Sequence, residues 1–363
     1  MIKFRIRLLQ KQLFTGYFFC SVLVISGILS CQSPKEPAAL RVILPHTTLR
    51  DAPGERGREI RNLVANDRLT DLGLVSHFET QFRLGDQSLI APWIQVQAMD
   101  GQKGWIFSGA VQPKPPDDNW LLEKRMQCYF GNGLVLRRNR WWTTRTSLVT
   151  ETDFAFFFHE ALALRDTFTY HLAHRADPNS AELQPDFLWL REALPGFIFQ
   201  RVAHGTQPYL FTDYRYFRNL AIRTTGLQDD HLLEAFAAAY PTDSIESIAP
   251  VWTMQIADNE VVSQLGLGNH WQMLKMIDDR LQVPNGLFQP DFLQLKEAVL
   301  DDILSKNVRY WQLEKKITAE LNKILGSHFA CLTAADLDAL TVRLAMFEHP
   351  SAHGLRANLR AGE

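Results

Sequence analysis

The sequence predicts two unequal folded parts. One is a small all-β module, an antiparallel barrel or sandwich, over residues 40–113. The other is a mostly α-helical domain over 126–363 that opens on a short β-hairpin. Three observations predict this. Apolar residues between 40 and 113 come in short bursts separated by turn formers. From about residue 151 their spacing changes to three and four. About 330 residues beyond a basic leader is a length that suits roughly two domains.

The chain of 363 residues opens on MIKFRIRLLQKQ, which is basic, followed by the apolar stretch LFTGYFFCSVLVISGIL. That order of a charged and an apolar region is the order of a secretory signal. Residues 1–30 hold four basic residues and no acid. Without them, 34 basic residues face 40 acidic ones, a net of −6. That balance excludes a nucleic-acid binder of the strongly basic kind. Ile28, Leu29, Ser30 and Cys31 close the apolar run. They resemble the lipobox of bacterial lipoproteins. The resemblance implies that Cys31 is acylated, becomes the first residue of the mature chain, and anchors it on the extracytoplasmic side of a bacterial membrane. Residues 31–39 (CQSPKEPAA) read as a polar tether between lipid and fold.

The strands follow in order: Arg41–Leu44, Glu59–Val64, Arg68–Val75, Trp93–Ala98 and Lys103–Phe107. Pro53-Gly54, Asn66-Asp67 and Asp100-Gly101 punctuate them as turns. The run LRDAPG at 49–54 and the closing WIQVQAMDGQKGWIFSGAV at 93–111 together resemble the bacterial SH3 (SH3b) domain. Leu49, Arg50, Pro53, Trp93, Val96, Asp100, Gly101, Gly104 and Trp105 carry the match. It implies an SH3-like barrel that binds cell wall or an envelope partner, with Trp93, Trp105 and Asp100 as candidate ligand-binding residues. Two departures stand out. Asn66 occupies a turn where the family has Gly, and residues 76–90 make a longer loop, one able to reshape or block a binding surface.

Residues 114–125 read as a linker, on the strength of QPKPPDD at 112–118. The stretch 126–143 has strand character, with Phe130-Gly131-Asn132-Gly133-Leu134 as a hairpin signal. Helices are then expected at about 154–176, with Thr152-Asp153 as N-cap, and at 186–203, 229–240, 243–265, 269–282, 290–325 and 333–347. The starts PDFLWLREAL at 185 and PDFLQLKEAVL at 290 echo each other through shared helix-start chemistry.

Chemistry is harder to find. Two cysteines remain after Cys31: Cys128 and Cys331. Outside the cytoplasm they either form a disulfide or pack as two buried thiols. His159-Glu160 starts like a zinc-protease motif but lacks the second His; His171 and His174 share one helix face. Neither makes a metal site, and no cofactor is implied. Arg137, Arg138, Arg140 and Arg145 surround Trp141-Trp142. Such a cluster suits phosphate or glycan, anionic headgroups, or arginine stems covering an aromatic core edge. The acidic pairs at 229–230, 278–279 and 301–302 read as solvated helix faces. The expectation is therefore a non-enzymatic, lipid-anchored envelope protein. Its partners are the membrane and peptidoglycan or an envelope protein, with no nucleic acid. The alternative is an envelope enzyme of unrecognised type in the helical part, targeted by the β module.

Overall fold

The computed structural model describes residues 38–84, 87–175, 187–202, 207–241, 249–257, 260–282, 286–305 and 308–358. The leader, Cys31 and most of the tether lie outside them. The N-terminal part is an antiparallel sheet and the C-terminal part is mostly helical. No helix among the described residues is long and apolar enough to cross a membrane.

Seven strands form the first part: β1 (Ala39–Val42), β2 (Thr47–Arg50), β3 (Glu59–Leu63), β4 (Arg68–Leu84), β5 (Gln87–Ala98), β6 (Lys103–Phe107) and β7 (Val111–Pro113). They lie in the order β3-β2-β6-β5-β4-β1-β7, antiparallel throughout. Turn chemistry explains the hairpins. Gly101 has φ 85° and Asn66 φ 75°, both left-handed. A side chain on Gly104 would lie 2.7 Å from the Arg50 carbonyl oxygen and from Leu49 Cγ, so only glycine lets β6 approach β2 this closely. One sheet face buries Leu40, Val42, Leu49, Ile94, Val96 and Ile106.

Residues 76–90 are not a loop. β4 and β5 stay paired out to Leu84↔Gln87, with register shifts between Asp71 and Val75 and between Val75 and Glu79. Bulges bend a ribbon, and here the bent arm carries Phe82 and Leu89 onto the second sheet face, against Trp93, Phe107, Ala91 and Ala110. Phe82 lies 4.4 Å from Phe107 and 6.1 Å from Trp93, between ring centroids.

The expected linker ends early, and the expected hairpin is absent. Residues Trp120–Thr144 form one helix, α1, kinked at Gly131 (φ 76°, ψ 160°). The glycines that read as a hairpin turn serve as the kink. Met126, Tyr129 and Phe130, spaced three and four apart, fill the core on the helical side of it, so packing overrides the local turn signal. The first turns of α1 belong to the β module as well. Trp120 completes its core. The Lys124 ammonium meets Asp71 at 2.6 Å, and Arg125 holds Glu79 through Nε at 2.5 Å and Nη2 at 3.1 Å. The Tyr129 hydroxyl donates to the same Glu79 at 2.9 Å.

The next helix, α2 (Glu151–Arg175), matches expectation, but Thr150 caps it rather than Thr152 or Asp153. The Thr150 N–H donates to Asp153 and the Asp153 N–H to Thr150 Oγ1. The helix expected at 186–203 is a single turn, α3 (Leu190–Ala193), followed by a ribbon of β8 (Phe197–Val202) and β9 (Gln207–Thr212). Then come α4 (Tyr214–Ala221) and α5 (Gln228–Ala239). The helix expected at 243–265 is a second ribbon over its described residues, β10 (Thr253–Ala257) with β11 (Glu260–Ser263). β-Branched and aromatic residues make up 7 of the 12 residues of the first ribbon, and Thr253, Ile256, Val261 and Val262 recur in the second; such residues fit a pleated surface. α6 (Asn269–Leu281) is as expected; the long helix expected at 290–325 is two, α7 (Gln289–Leu304) and α8 (Glu314–Gly326). Ser305 turns extended at φ −57°, ψ 143° and ends the first. α9 (Ala334–Met346) starts on a Thr333–Asp336 capping box.

Cys128 and Cys331 are both thiols, not a disulfide. Cys128 is buried on α1. Cys331 sits before α9, where its N–H donates to Asp278 at 2.7 Å. Burial, and then Asp278, push its thiol up to about 12, which makes it a poor nucleophile.

Candidate functional site

The β module brings its candidate residues to one hairpin but gives them different surroundings. Trp93 is 2% exposed. Its indole N–H donates to Thr80 Oγ1 at 2.8 Å and its backbone N–H to Ser76 Oγ at 2.9 Å, both on the folded-over arm. The arm therefore takes Trp93 out of any binding surface. Asp100 is exposed but engaged: it accepts from the Gln102 N–H at 3.0 Å and pairs with Arg61 at 2.7 Å. Its carboxylate holds the turn and ties β3 to it.

Trp105 remains half-buried. It packs on the edge of the Trp93–Phe107 cluster and stands in a cross-strand row. Arg50 is its neighbour on β2 and Gln95 its neighbour on β5, with Glu59 beyond Arg50 on β3. Arg50 is braced by the Gly57 carbonyl at 2.6 Å and by Glu59 at 3.2 Å. The result is an aromatic flanked by fixed polar groups, a surface fit for an extended polar chain such as a glycan or peptide.

The helical part holds polar centres that sequence reading missed. His159 on α2 meets both oxygens of Asp291, at the start of α7, at 3.1 Å. That hydrogen bond raises the imidazole pKa, burial opposes it, and the Asp291 charge raises it further. The Phe288 ring lies 6.0 Å from His159. Phe288 and Phe292 also line a shallow cleft of about 90 Å³ among α5, α6 and α7, together with His231, Asp279, Arg280 and Gln289. Deeper, Asp302 accepts from Ser263 Oγ at 2.6 Å and contacts His270 Nε2 at 2.9 Å, all three buried. The carboxylate lies between serine and histidine, so this is an internal brace rather than an activated serine.

The acidic pairs are only half solvated. Each turns one carboxylate inward: Asp229 to Thr224, Asp278 to the Cys331 N–H, and Asp302 to Ser263 and His270. Burial raises the pKa of Asp229. His171 stands edge-on to the Phe130 and Tyr170 rings, and His174 lies 3.9 Å from Tyr170 with the rings tilted by 38°. Among the described residues no three His, Cys, Asp or Glu side chains are placed to hold a metal ion.

Arg137, Arg138 and Arg140 lie on α1 and Arg145 just past its end, not on a hairpin. Arg137 forks onto Glu160 at 2.6 and 3.0 Å. Arg138 reaches the Ala193 carbonyl, and burial lowers its pKa. Trp141 is core, its N–H on the Phe157 carbonyl at 3.0 Å. Trp142 lies between Arg145, 3.6 Å from its ring centre, and Arg138, 5.6 Å away. No family model, curated protein or solved structure matches the chain.

Proposed function

We propose that the mature chain is a lipid-anchored protein of the bacterial envelope whose N-terminal module, an SH3b-like barrel, binds cell wall or an envelope partner through the face around Trp105. One observation carries the binding half of this reading. Gly104 holds β6 against the Leu49–Arg50 backbone, and Trp105 then stands half-exposed in the row Glu59–Arg50–Trp105–Gln95. The antiparallel sheet and the positive φ of Gly101 support the barrel assignment. The lipobox run ending in Cys31 and the polar tether support the anchor. Several acyl chains on one residue would make the attachment stable, at about 0.8 kcal/mol per buried methylene.

Sedimentation with purified peptidoglycan tests the binding face. The chain 32–363 should pellet with it, and Trp105→Ala should lose at least about tenfold in affinity, as expected for an aromatic anchor at an interface centre. Trp105→Phe should retain most of it. Binding unchanged in Trp105→Ala, with the fold intact by circular dichroism, refutes the assignment. The anchor has its own readout: Cys31→Ser should abolish incorporation of a labelled fatty acid, and persistent labelling rules Cys31 out.

A further inference from the structure

The surface where α1 ends and α4 begins its outer face has no role in the reading above. Residues 137–145 carry four arginines and no acid; residues 213–223 carry three arginines and one aspartate. This concentration stands out on a mature chain whose net charge is −6. The two stretches meet in space. Arg145 lies over Trp142, hydrogen-bonds Tyr216, and shares that tyrosine's surroundings with Arg223. The turn after α4 is tied back by the Thr225 N–H on the Val149 carbonyl at 2.8 Å.

The helix α4 buries Tyr214, Phe217, Leu220 and Ala221 and turns Arg215, Arg218, Asn219 and Ile222 outward. Ile222 is 61% exposed and Val149 60%. Large aliphatic side chains this exposed, set among arginines and half-exposed aromatic rings, are the composition of a segment lying at a membrane–water interface. The nearby carboxylates are committed locally. Asp213 caps α4 through the Arg215 and Tyr216 N–H groups, and Asp153, at the far edge, accepts from Thr150 and Val149. Among the described residues no carboxylate pairs with Arg145 or Arg223.

We infer that this face, built from Trp142, Arg145, Tyr216, Arg218, Ile222 and Arg223, docks on the anionic headgroups of a phospholipid bilayer. The choice of a bilayer rests on the membrane-anchored reading. A tether of residues 32–38 spans at most about 25 Å when extended, so an anchored chain is held where even a weak surface contact engages. The guanidinium groups would take the phosphates, while Ile222 and the rings enter the headgroup layer.

The non-acylated chain 32–363 tests the surface apart from the anchor. It should float with phosphatidylcholine vesicles only when they contain phosphatidylglycerol, and added salt should weaken the binding. Arg218→Glu with Arg223→Glu should lower it at least about tenfold. Ile222→Ser should weaken it without changing its salt dependence. All three positions are exposed, and circular dichroism verifies folding. No flotation with anionic vesicles overturns the inference, as does undiminished flotation of the double reversal. Flotation insensitive to Ile222→Ser and fully competed by duplex DNA also overturns it, marking a general polyanion contact instead. Fatty-acid labelling of the wild type that Cys31→Ser abolishes, together with no flotation of the 32–363 chain, leaves the anchor standing and removes only the surface.

Discussion

His159 and Asp291 are 132 residues apart in the chain, yet the imidazole Nε2 sits 3.1 Å from both carboxylate oxygens. The pair ties the third turn of α2 to the first turn of α7. Its hydrogen bond raises the histidine pKa above the ordinary value of 6.5, burial pulls it down, and the Asp291 charge adds to the rise. Asp291 also acts on the buried Tyr214, whose hydroxyl is pushed up to about 12, chiefly by burial. A histidine whose folded pKa lies above its unfolded one stabilises fully below the unfolded value, and that contribution disappears as pH rises through the folded value. His159→Gln should therefore lower the melting temperature most at mildly acidic pH, below about 6.5. The gap from wild type should narrow as pH climbs past the raised value. A gap that stays constant or widens with pH, followed by thermal melts across that range, contradicts the assignment.

At the scale of elements, α6 shows how a helix is started from far away in sequence. Its N-cap, Gly268, offers no side chain. Glu320 on α8 supplies the missing acceptor, taking the Gly268 N–H at 2.8 Å, the Trp271 N–H at 3.1 Å and the Gly266 N–H. A buried carboxylate at a helix N-terminus gains from both the charge-assisted bonds and the helix dipole. Glu320→Ala should cost on the order of 3 kcal/mol in chemical denaturation, because three N–H groups lose their acceptor. A loss within about 0.5 kcal/mol of zero, the range of ordinary surface changes, would falsify this account. The contrast with α9 explains what the sequence disclosed. Thr333 and Asp336 cap α9 from three residues apart, so its start was legible. The Asp100-Gly101 turn was legible for the same reason, since Gly101 acts on its immediate neighbours, whereas the contact that demands Gly104 is with Leu49 and Arg50 on β2. α1 was not, because Phe130-Gly131-Asn132-Gly133 is a good local turn and only the core around Met126, Tyr129 and Phe130 makes it helical. The β10–β11 ribbon needed its partner strand to be recognised. The burial of Trp93 needed the β4–β5 arm, which reads locally as a polar loop. Nothing local marks what Glu320, Asp291 and Asp302 bind, because their partners come from other elements.

At the scale of the molecule, the question is whether the sheet and the helices unfold as one. The chain crosses between them through α1, which is part of both. Trp120 closes the core of the sheet, Leu121 packs against both sheet clusters, and Met126 and Tyr129 belong to the helical core. Val75 on β4 packs against the sheet core and the helical core alike. The polar contacts across this seam are buried: Asp71 with Lys124, and Glu79 with Arg125 and Tyr129. Such pairs cost desolvation to form, so their net gain is small, but removing one partner leaves a buried charge and costs about 3–5 kcal/mol. A seam of that kind makes partial separation expensive from either side. The wild-type chain should melt in one calorimetric transition, with calorimetric and van't Hoff enthalpies that agree. Glu79→Ala removes the carboxylate that both the buried Arg125 guanidinium and the Tyr129 hydroxyl meet. It should lower stability by an amount in that range and resolve the melt into two transitions, the sheet separating from the helices. Replacing the Asp71–Lys124 pair by apolar residues, Asp71→Leu with Lys124→Met, should keep the single transition, because it removes both charges and leaves the packing around Trp120 in place. Two transitions already in the wild type, or a Glu79→Ala chain that melts as the wild type does, would show that the seam does not couple the parts.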